Sequence, residues 1–338
     1  MNPAARLATR LAGALATMLA ASLLVFVLLE YSSTSVAAKI LGPYSSESSR
    51  QMLSEKLGLS DPVLVRYVRW IGVVAGLRED PVVTSGLTGA PIANARYFGN
   101  FGYSQLYKKP VVDVVLPALK NTALLATIAF LGIALLGMLF GILCGAYEGS
   151  AVDRSLSLVA SVAASVPEYA SAVILMFVFV VTYQVLPGAS NLDTTSGWSV
   201  SSQLILPAAV LIIYDFGYVA RTVRTSMTNV MRSPYIKAAI LKGLPFGRVV
   251  FVHALKNAMV TPFTVILLQI GWLVSGVVVT EVVFGYPGFG RVLLEASLSG
   301  DIALVEACTL ISLAVVILTQ IASDLGYMIL NPEMRARV

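Results

Sequence analysis

Residues Ala123–Ala146 read ALLATIAFLGIALLGMLFGILCGA, an apolar run with no charged side chain. A helix of about 20 apolar residues, rising about 1.5 Å per residue, crosses roughly 30 Å of hydrocarbon. The run is too long and too evenly apolar for the alternating strands of a membrane barrel, so it reads as a transmembrane helix. Working outward, five more runs qualify. They are Leu11–Leu29, Leu156–Leu186 (interrupted by Pro167 and Glu168), Leu204–Ala220 (carrying Asp215), Ala258–Val279, and Ala307–Ser323, which extends toward Leu330 past Asp324. The expected fold is an all-α polytopic membrane protein with six transmembrane helices.

Composition agrees. Of 338 residues, 57% are hydrophobic and only 12% charged, against about 25% charged in soluble domains. That excludes a soluble enzyme, a disordered chain and a nucleic-acid-binding domain. Cys144 and Cys308 lie within apolar runs and read as small core hydrophobes. His253 is the single histidine, which excludes a His-rich metal site. No catalytic or metal-binding residue is expected. Arg6 and Arg10 precede the first run, so a signal peptide is an alternative there, with small residues at Ser35–Ala38. The run exceeds the roughly 7–15 apolar residues of a signal sequence.

The sparse charges give the orientation. Arg221, Arg224, Arg232, Lys237, Lys242, Arg248 and Lys256 crowd one loop, with no acid between Asp215 and Glu281. Basic residues in short loops stay inside. Arg154, the head (Arg6, Arg10) and the tail (Arg335, Arg337) agree, while Gly188–Ser202 carries no basic residue. Both termini are therefore expected in the cytoplasm, with the segment after the first span outside. That segment reads as a small lobe. It has a helix over Ser46–Leu57 stopped by Gly58, a second over Pro62–Ile71, and a Gly/Pro/Asn/Tyr-rich loop from Arg78 to Lys109. No 20–50-residue repeat is found.

The basic loop contains Ser233-Pro-Tyr-Ile-Lys-Ala-Ala-Ile-Leu-Lys-Gly-Leu-Pro245. Ser233 is placed to cap a helix and Pro234 suits its first position. Lys242 suits the negative C-terminal end, Gly243 the left-handed C′ position, and Leu244 the accompanying apolar contact. Pro245 prevents continuation. So short a helix is not stable alone. It must dock on its own spans or the lipid surface, or else in the groove of a soluble partner.

Tyr235-Ile-Lys-Ala-Ala-x-x-x-Gly243, followed by His253-Ala-Leu-Lys-Asn257, resembles the coupling-loop signature of ABC-importer permeases. The version is similar to that of the oligopeptide/dipeptide/nickel transport family, in its first (B-type) subunit. The resemblance covers nearly the whole chain. Leu57–Pro62 and Arg66-Tyr-Val-Arg-Trp70 resemble the family's external lobe, and Leu116-Pro-Ala-Leu-Lys-Asn-Thr122 the start of its transport core. Ser165-Val-Pro167, Leu206-Pro-Ala208 and Ala220-Arg221-x-x-Arg224 are similar to later segments. Glu281-Val-Val-Phe284 with Tyr286-Pro-Gly-Phe-Gly290 is the most distinctive match after the loop. Asp324-x-x-Tyr327 and Asn331-Pro332 resemble the C-terminal end. Departures fall outside the membrane, at Glu30–Thr34 and Asn100-Phe-Gly-Tyr-Ser104.

The resemblance implies the type I importer permease fold. Residues 1–31 are the head and first helix, 32–112 an external lobe, 113–330 the transport core with coupling loop 221–257, and 331–338 a cytoplasmic tail. It implies a multi-pass permease of the bacterial inner membrane that forms half of a path for peptides or a similar small solute. Implied partners are a second homologous permease, two ATPase subunits and an external solute-binding protein. No Walker A sequence is present, so this chain does not bind ATP by that route; the resemblance implies that ATP and Mg are held by the ATPase subunits and that this chain binds no cofactor. Ser233, Pro234, Tyr235, Lys237, Ala238, Ala239, Gly243 and Leu244 are the implied ATPase-coupling residues. Candidates for the translocation path or gate are Pro167, Glu168, Glu281, Phe284, Pro287, Gly288 and Arg291. Intramembrane carboxylates are functional candidates by default, but Glu168 also reads as a group bonded within a helix kink. Asp215 is expected to pair with Arg221. A stand-alone transporter or channel is the alternative, and a membrane enzyme lacks a convergent catalytic set.

Overall fold

The computed structural model describes residues 3–30, 46–56, 60–81, 97–193 and 197–330. The expectations for Ser35–Ala38, Gly58, Asn331-Pro332 and the tail arginines lie outside these residues.

In chain order, α1 (Pro3–Glu30), α2 (Glu47–Lys56) and α3 (Val63–Val74) precede a small antiparallel hairpin of β1 (Tyr103–Ser104) and β2 (Lys109–Pro110). Then follow α4 (Val111–Ala146), α5 (Ala151–Ser165), α6 (Glu168–Met176), α7 (Val200–Met231), α8 (Pro234–Leu241), α9 (Phe246–Arg248) and α10 (Leu255–Ala258). The chain continues through α11 (Val260–Gly276), α12 (Val278–Val283), α13 (Phe289–Ser299) and α14 (Ile302–Leu330). Wider π-helical turns, Phe177–Thr182 and Val249–Ala254, extend α6 and join α9 to α10.

Among the described residues, four helices are long and apolar enough to cross a membrane, at Ala12–Leu29, Val111–Ala146, Val200–Met231 and Ile302–Gly326. Two bent pairs bring the number to six when each is counted as one broken span: Ala151–Ser165 with Glu168–Thr182, bent by 99°, and Phe246–Ala258 with Val260–Val274, bent by 60°. The all-α polytopic fold agrees with the sequence, with the two-residue strands β1 and β2 its one sheet among the described residues, and three details are corrected. That hairpin leads directly into α4, so the helix starts at Val111 and accommodates Pro117. The third span is a broken helix rather than a kinked one, because Val166 is extended and Pro167 starts a new axis. Finally, α7 is 32 residues long, which puts Asp215 in its middle. Asp215 accepts from Gln269 Nε2 on α11 instead of pairing with Arg221.

The chain divides into two compact units, Met1–Lys120 with Arg291–Ala314 and Asn121–Gly290 with Val315–Val338. In the first, α3 clamps α1. Tyr67 packs edge-on to Phe26 at 5.5 Å, and its hydroxyl donates to the Leu19 carbonyl at 3.0 Å. Asp301 caps α14 through Leu304 N while also accepting from Ser104 Oγ (2.6 Å) and Leu106 N (3.0 Å). Tyr107 Oη donates to Glu295 at 2.5 Å.

In the second unit α4 and α7 lie backbone to backbone. A Cβ on Gly137, Gly141 or Gly145 would collide with Val219, Val223 or Met227. Small residues at four-residue spacing permit this approach where lipid supplies no hydrophobic drive between helices. Gly217 lets α7 meet the Ala160 carbonyl of α5 in the same way. The Asp153 carboxylate, buried on α5, receives Arg224 Nε and Nη2 of α7 at 2.6 and 2.9 Å.

Candidate functional site

Two groups of the expected residues lie in the second unit. The first is built on α8, an eight-residue helix. Pro234 occupies its first turn, as its missing N–H allows. Ser233 has the extended backbone of a cap, but its hydroxyl makes no capping bond and is buried without a partner among the described residues. That corrects the expected capping role. Ile236 is the anchor, fully buried, with α8 resting on α7 and the turn Val249–Ala254. Asn257 Nδ2 donates to the Tyr235 hydroxyl at 2.8 Å. This joins the two halves of the quoted sequence signature across the intervening turn.

The helix ends in a two-bond turn. Gly243 N donates to the Ile240 carbonyl (2.9 Å) and Leu244 N to the Ala239 carbonyl (3.3 Å), the Schellman pattern. Gly243 has φ +75, with nothing within 4 Å of where a Cβ would stand. Its requirement is therefore conformational rather than steric. Leu244 is partly buried, while Lys237 and Ala238 are exposed. Leu241 is 88% exposed, with Ile240 and Tyr235 about half exposed. Around α8, Phe246 packs on Tyr147 at 5.3 Å and Arg232 pairs with Glu148 at 2.6 Å. Both contacts fix the loop to the turn after α4. His253 lies half-buried in the π-helical turn, where its carbonyl accepts from Asn257.

The second group surrounds a sealed carboxylate. Glu281 on α12 is fully buried, and Thr122 Oγ1 donates to it at 2.5 Å. The same hydroxyl accepts from Phe289 N at 2.7 Å. The turn between them wraps the carboxylate: Tyr286 N donates to the Glu281 carbonyl (2.8 Å), and a Cβ on Gly288 would fall on the carboxylate itself. Asn121 then fastens the turn to α4. Its Nδ2 donates to the Pro287 carbonyl (2.8 Å), and its carbonyl accepts from Tyr286 Oη (2.6 Å). Burial, and then the Glu281 carboxylate, push the Tyr286 phenol up, so it remains a donor. Phe284 is buried, and its carbonyl accepts from Ser190 N at 2.8 Å.

Glu168 begins α6 beyond Pro167, and its Oε1 accepts from both the backbone N (3.0 Å) and the hydroxyl of Thr280. It therefore caps the first turn of α12, one residue before Glu281. The reading of Glu168 as bonded within its own kink is corrected to a bond between two helix starts. Arg291, another of the gate candidates, pairs with Glu295 at 2.8 Å. The partners Asn121, Thr122 and Thr280 were not singled out as functional from the sequence. Thr122 and Asn121 end the quoted Leu116–Thr122 motif, which was the available signal. Among the described residues no cluster of three His, Cys, Asp or Glu side chains suits a metal ion.

Comparison with known proteins places these features in context. Residues 137–336 match the family described as binding-protein-dependent transport system inner membrane component. The chain is 30% identical to a probable peptide ABC transporter permease protein, y4tP, of Sinorhizobium fredii, over 96% of this chain and 97% of that one. It is 27% identical to the oligopeptide transport system permease protein AppB of Bacillus subtilis, over 94% and 95%. Among solved structures, an amino acid ABC transporter with histidines shares 14% identity over 67% of this chain and 93% of that one, at a TM-score of 0.41.

Proposed function

The chain belongs to the family of binding-protein-dependent transport system inner membrane components, and from that premise we propose that it is the B-type permease of a peptide importer. It is a permease subunit of an ABC importer and a multi-pass protein of the inner membrane. Membership implies ATPase and solute-binding-protein partners. The peptide assignment rests on relatives described as peptide and oligopeptide permeases. In this reading the chain pairs with a second homologous permease, and two ATPase subunits dock from the cytoplasm, where both termini lie. ATP and Mg act on those subunits; the chain itself binds no cofactor and catalyses no reaction.

The observation that carries the proposal is α8. A short helix is anchored by one buried isoleucine, closed by Gly243, and leaves Leu241 and Ile240 to solvent. Such a helix suits the groove of a soluble partner. ATPase closure then moves it as a rigid lever and switches the spans between inward- and outward-facing states. Glu281, Phe284 and Gly288, sealed within their turn, are read as holding the outer end of the lever's path, while Pro167 and Glu168 keep a place at the path's edge. The test is reconstitution with the ATPases and binding protein in proteoliposomes. Peptide uptake that requires ATP is expected. Uptake that follows a proton gradient and ignores ATP would overturn the reading. The ligand retained by the partner binding protein decides the solute.

A further inference from the structure

A cavity of about 370 Å³ opens between α4, α5 and α7. Its floor is small and apolar, formed by Phe140, Ala160, Gly217 and Ala220. Three arginines line it, Arg154, Arg221 and Arg224, against one carboxylate, Asp153. Arg224 is neutralised by that carboxylate, which also accepts from Gly149 N and Ser157 Oγ. Arg154 and Arg221 stand exposed at the mouth. No carboxylate lies within ion-pair distance of either among the described residues. The cavity is therefore net positive.

Its depth and surroundings narrow the ligand. Helix α7 is apolar from Leu204 to Ala220, save for Asp215, and turns basic at Arg221. Helix α5 begins at Ala151, so Arg154 stands in its first turn. Both guanidiniums thus lie where apolar runs end, the depth of lipid phosphates. Beside the mouth α5 turns Leu158, Val159 and Val162 outward, each more than half exposed. A guanidinium fork matches phosphate oxygens, and basic pockets between spans on the cytoplasmic side hold anionic headgroups.

We propose that this cavity binds the phosphate headgroup of an anionic phospholipid, with Arg154 and Arg221 on the phosphate and the acyl chains along Leu158, Val159 and Val162. The lipid braces α5 against α7 beside the Asp153–Arg224 pair. The site is independent of which solute is carried.

The experiment is native mass spectrometry of the delipidated importer titrated with phosphatidylglycerol, phosphatidylcholine or inorganic phosphate. Phosphatidylglycerol is expected to be retained in preference to phosphatidylcholine. The Arg154→Gln/Arg221→Gln variant should lower that retention by about tenfold or more. Arg248→Gln/Lys256→Gln, outside the cavity, should leave it unchanged, and the Arg154→Lys/Arg221→Lys variant, which keeps the charge but loses the fork, should retain more lipid than the glutamine variant and less than the unchanged chain. Equal retention in the cavity variant, or equal retention of phosphatidylcholine, would overturn the proposal. Displacement by millimolar inorganic phosphate would reassign the cavity to a soluble anion. A Val162→Cys cross-link to another transmembrane subunit would assign the apolar face to protein. Either result overturns the lipid reading.

Discussion

Helix α8 and the Glu281 turn both rest on a glycine, yet the two glycines do opposite work. Gly243 stands in open space with a left-handed backbone, and a side chain there would meet no neighbour. Gly288 has no room at all, because the Glu281 carboxylate occupies the place of its Cβ. Around Gly243 the apolar side chains Leu241 and Ile240 face outward; around Gly288 Phe284, Tyr286 and Phe289 are sealed. One region is an exposed apolar surface held by one buried isoleucine, the surface proposed to meet a partner. The other is a closed knot held by its own hydrogen bonds. Mutation should therefore separate coupling from stability.

The largest expected effect is functional. Gly243→Asp should abolish ATP-driven transport while the chain inserts in normal amounts, because it sets a carboxylate at the negative C-terminal end of α8 and on the proposed docking face. Gly243→Asn, which tolerates the left-handed region, should retain most transport. Normal transport and ATPase pairing in the aspartate variant would break the assignment of α8. Gly288→Ala should do the reverse, destabilising the folded chain by about 3 kcal/mol through overpacking in a site that cannot relax. A detergent melting curve reads it, and an unchanged midpoint would show that the knot opens easily.

Glu168 is the next test. Its carboxylate caps α12 through Thr280. Glu168→Ala should cost about 2 kcal/mol and Glu168→Gln, which keeps an acceptor, about half of that. If the carboxylate also meets solute, the glutamine variant should raise KM for peptides with a free amino terminus and leave blocked peptides unchanged. An equal effect on both would confine Glu168 to the closed region.

Local chemistry explains what was legible in the chain. The spans follow from runs of apolar residues, and the end of α8 from Gly243 and Pro245, because each signal acts within a turn of itself. The broken third span was visible as Pro167, but a proline does not state its angle. The knot was not legible, since Thr122 and Glu281 are 159 positions apart. The glycine stripe of α4 was in plain view, yet its meaning depends on which helix packs there. Asp215 was misassigned because Arg221 is near in sequence, whereas Gln269 is near in space.

The smallest expected effect concerns how α8 begins. Replacing a capping serine by alanine costs about 1 kcal/mol when its oxygen accepts a backbone N–H. Ser150 does so at the start of α5, accepting from Asp153 N at 3.2 Å, and Ser150→Ala should show that loss in a melting curve. Ser233 looks equivalent in sequence, but its hydroxyl is buried and unpartnered among the described residues. Removing a buried, unsatisfied hydroxyl is neutral or slightly favourable. Ser233→Ala should therefore leave the melting midpoint and transport unchanged or raise the midpoint slightly. A loss as large as that of Ser150→Ala would mean that α8 depends on its cap, and that Pro234 and Ile236 do not suffice to hold it.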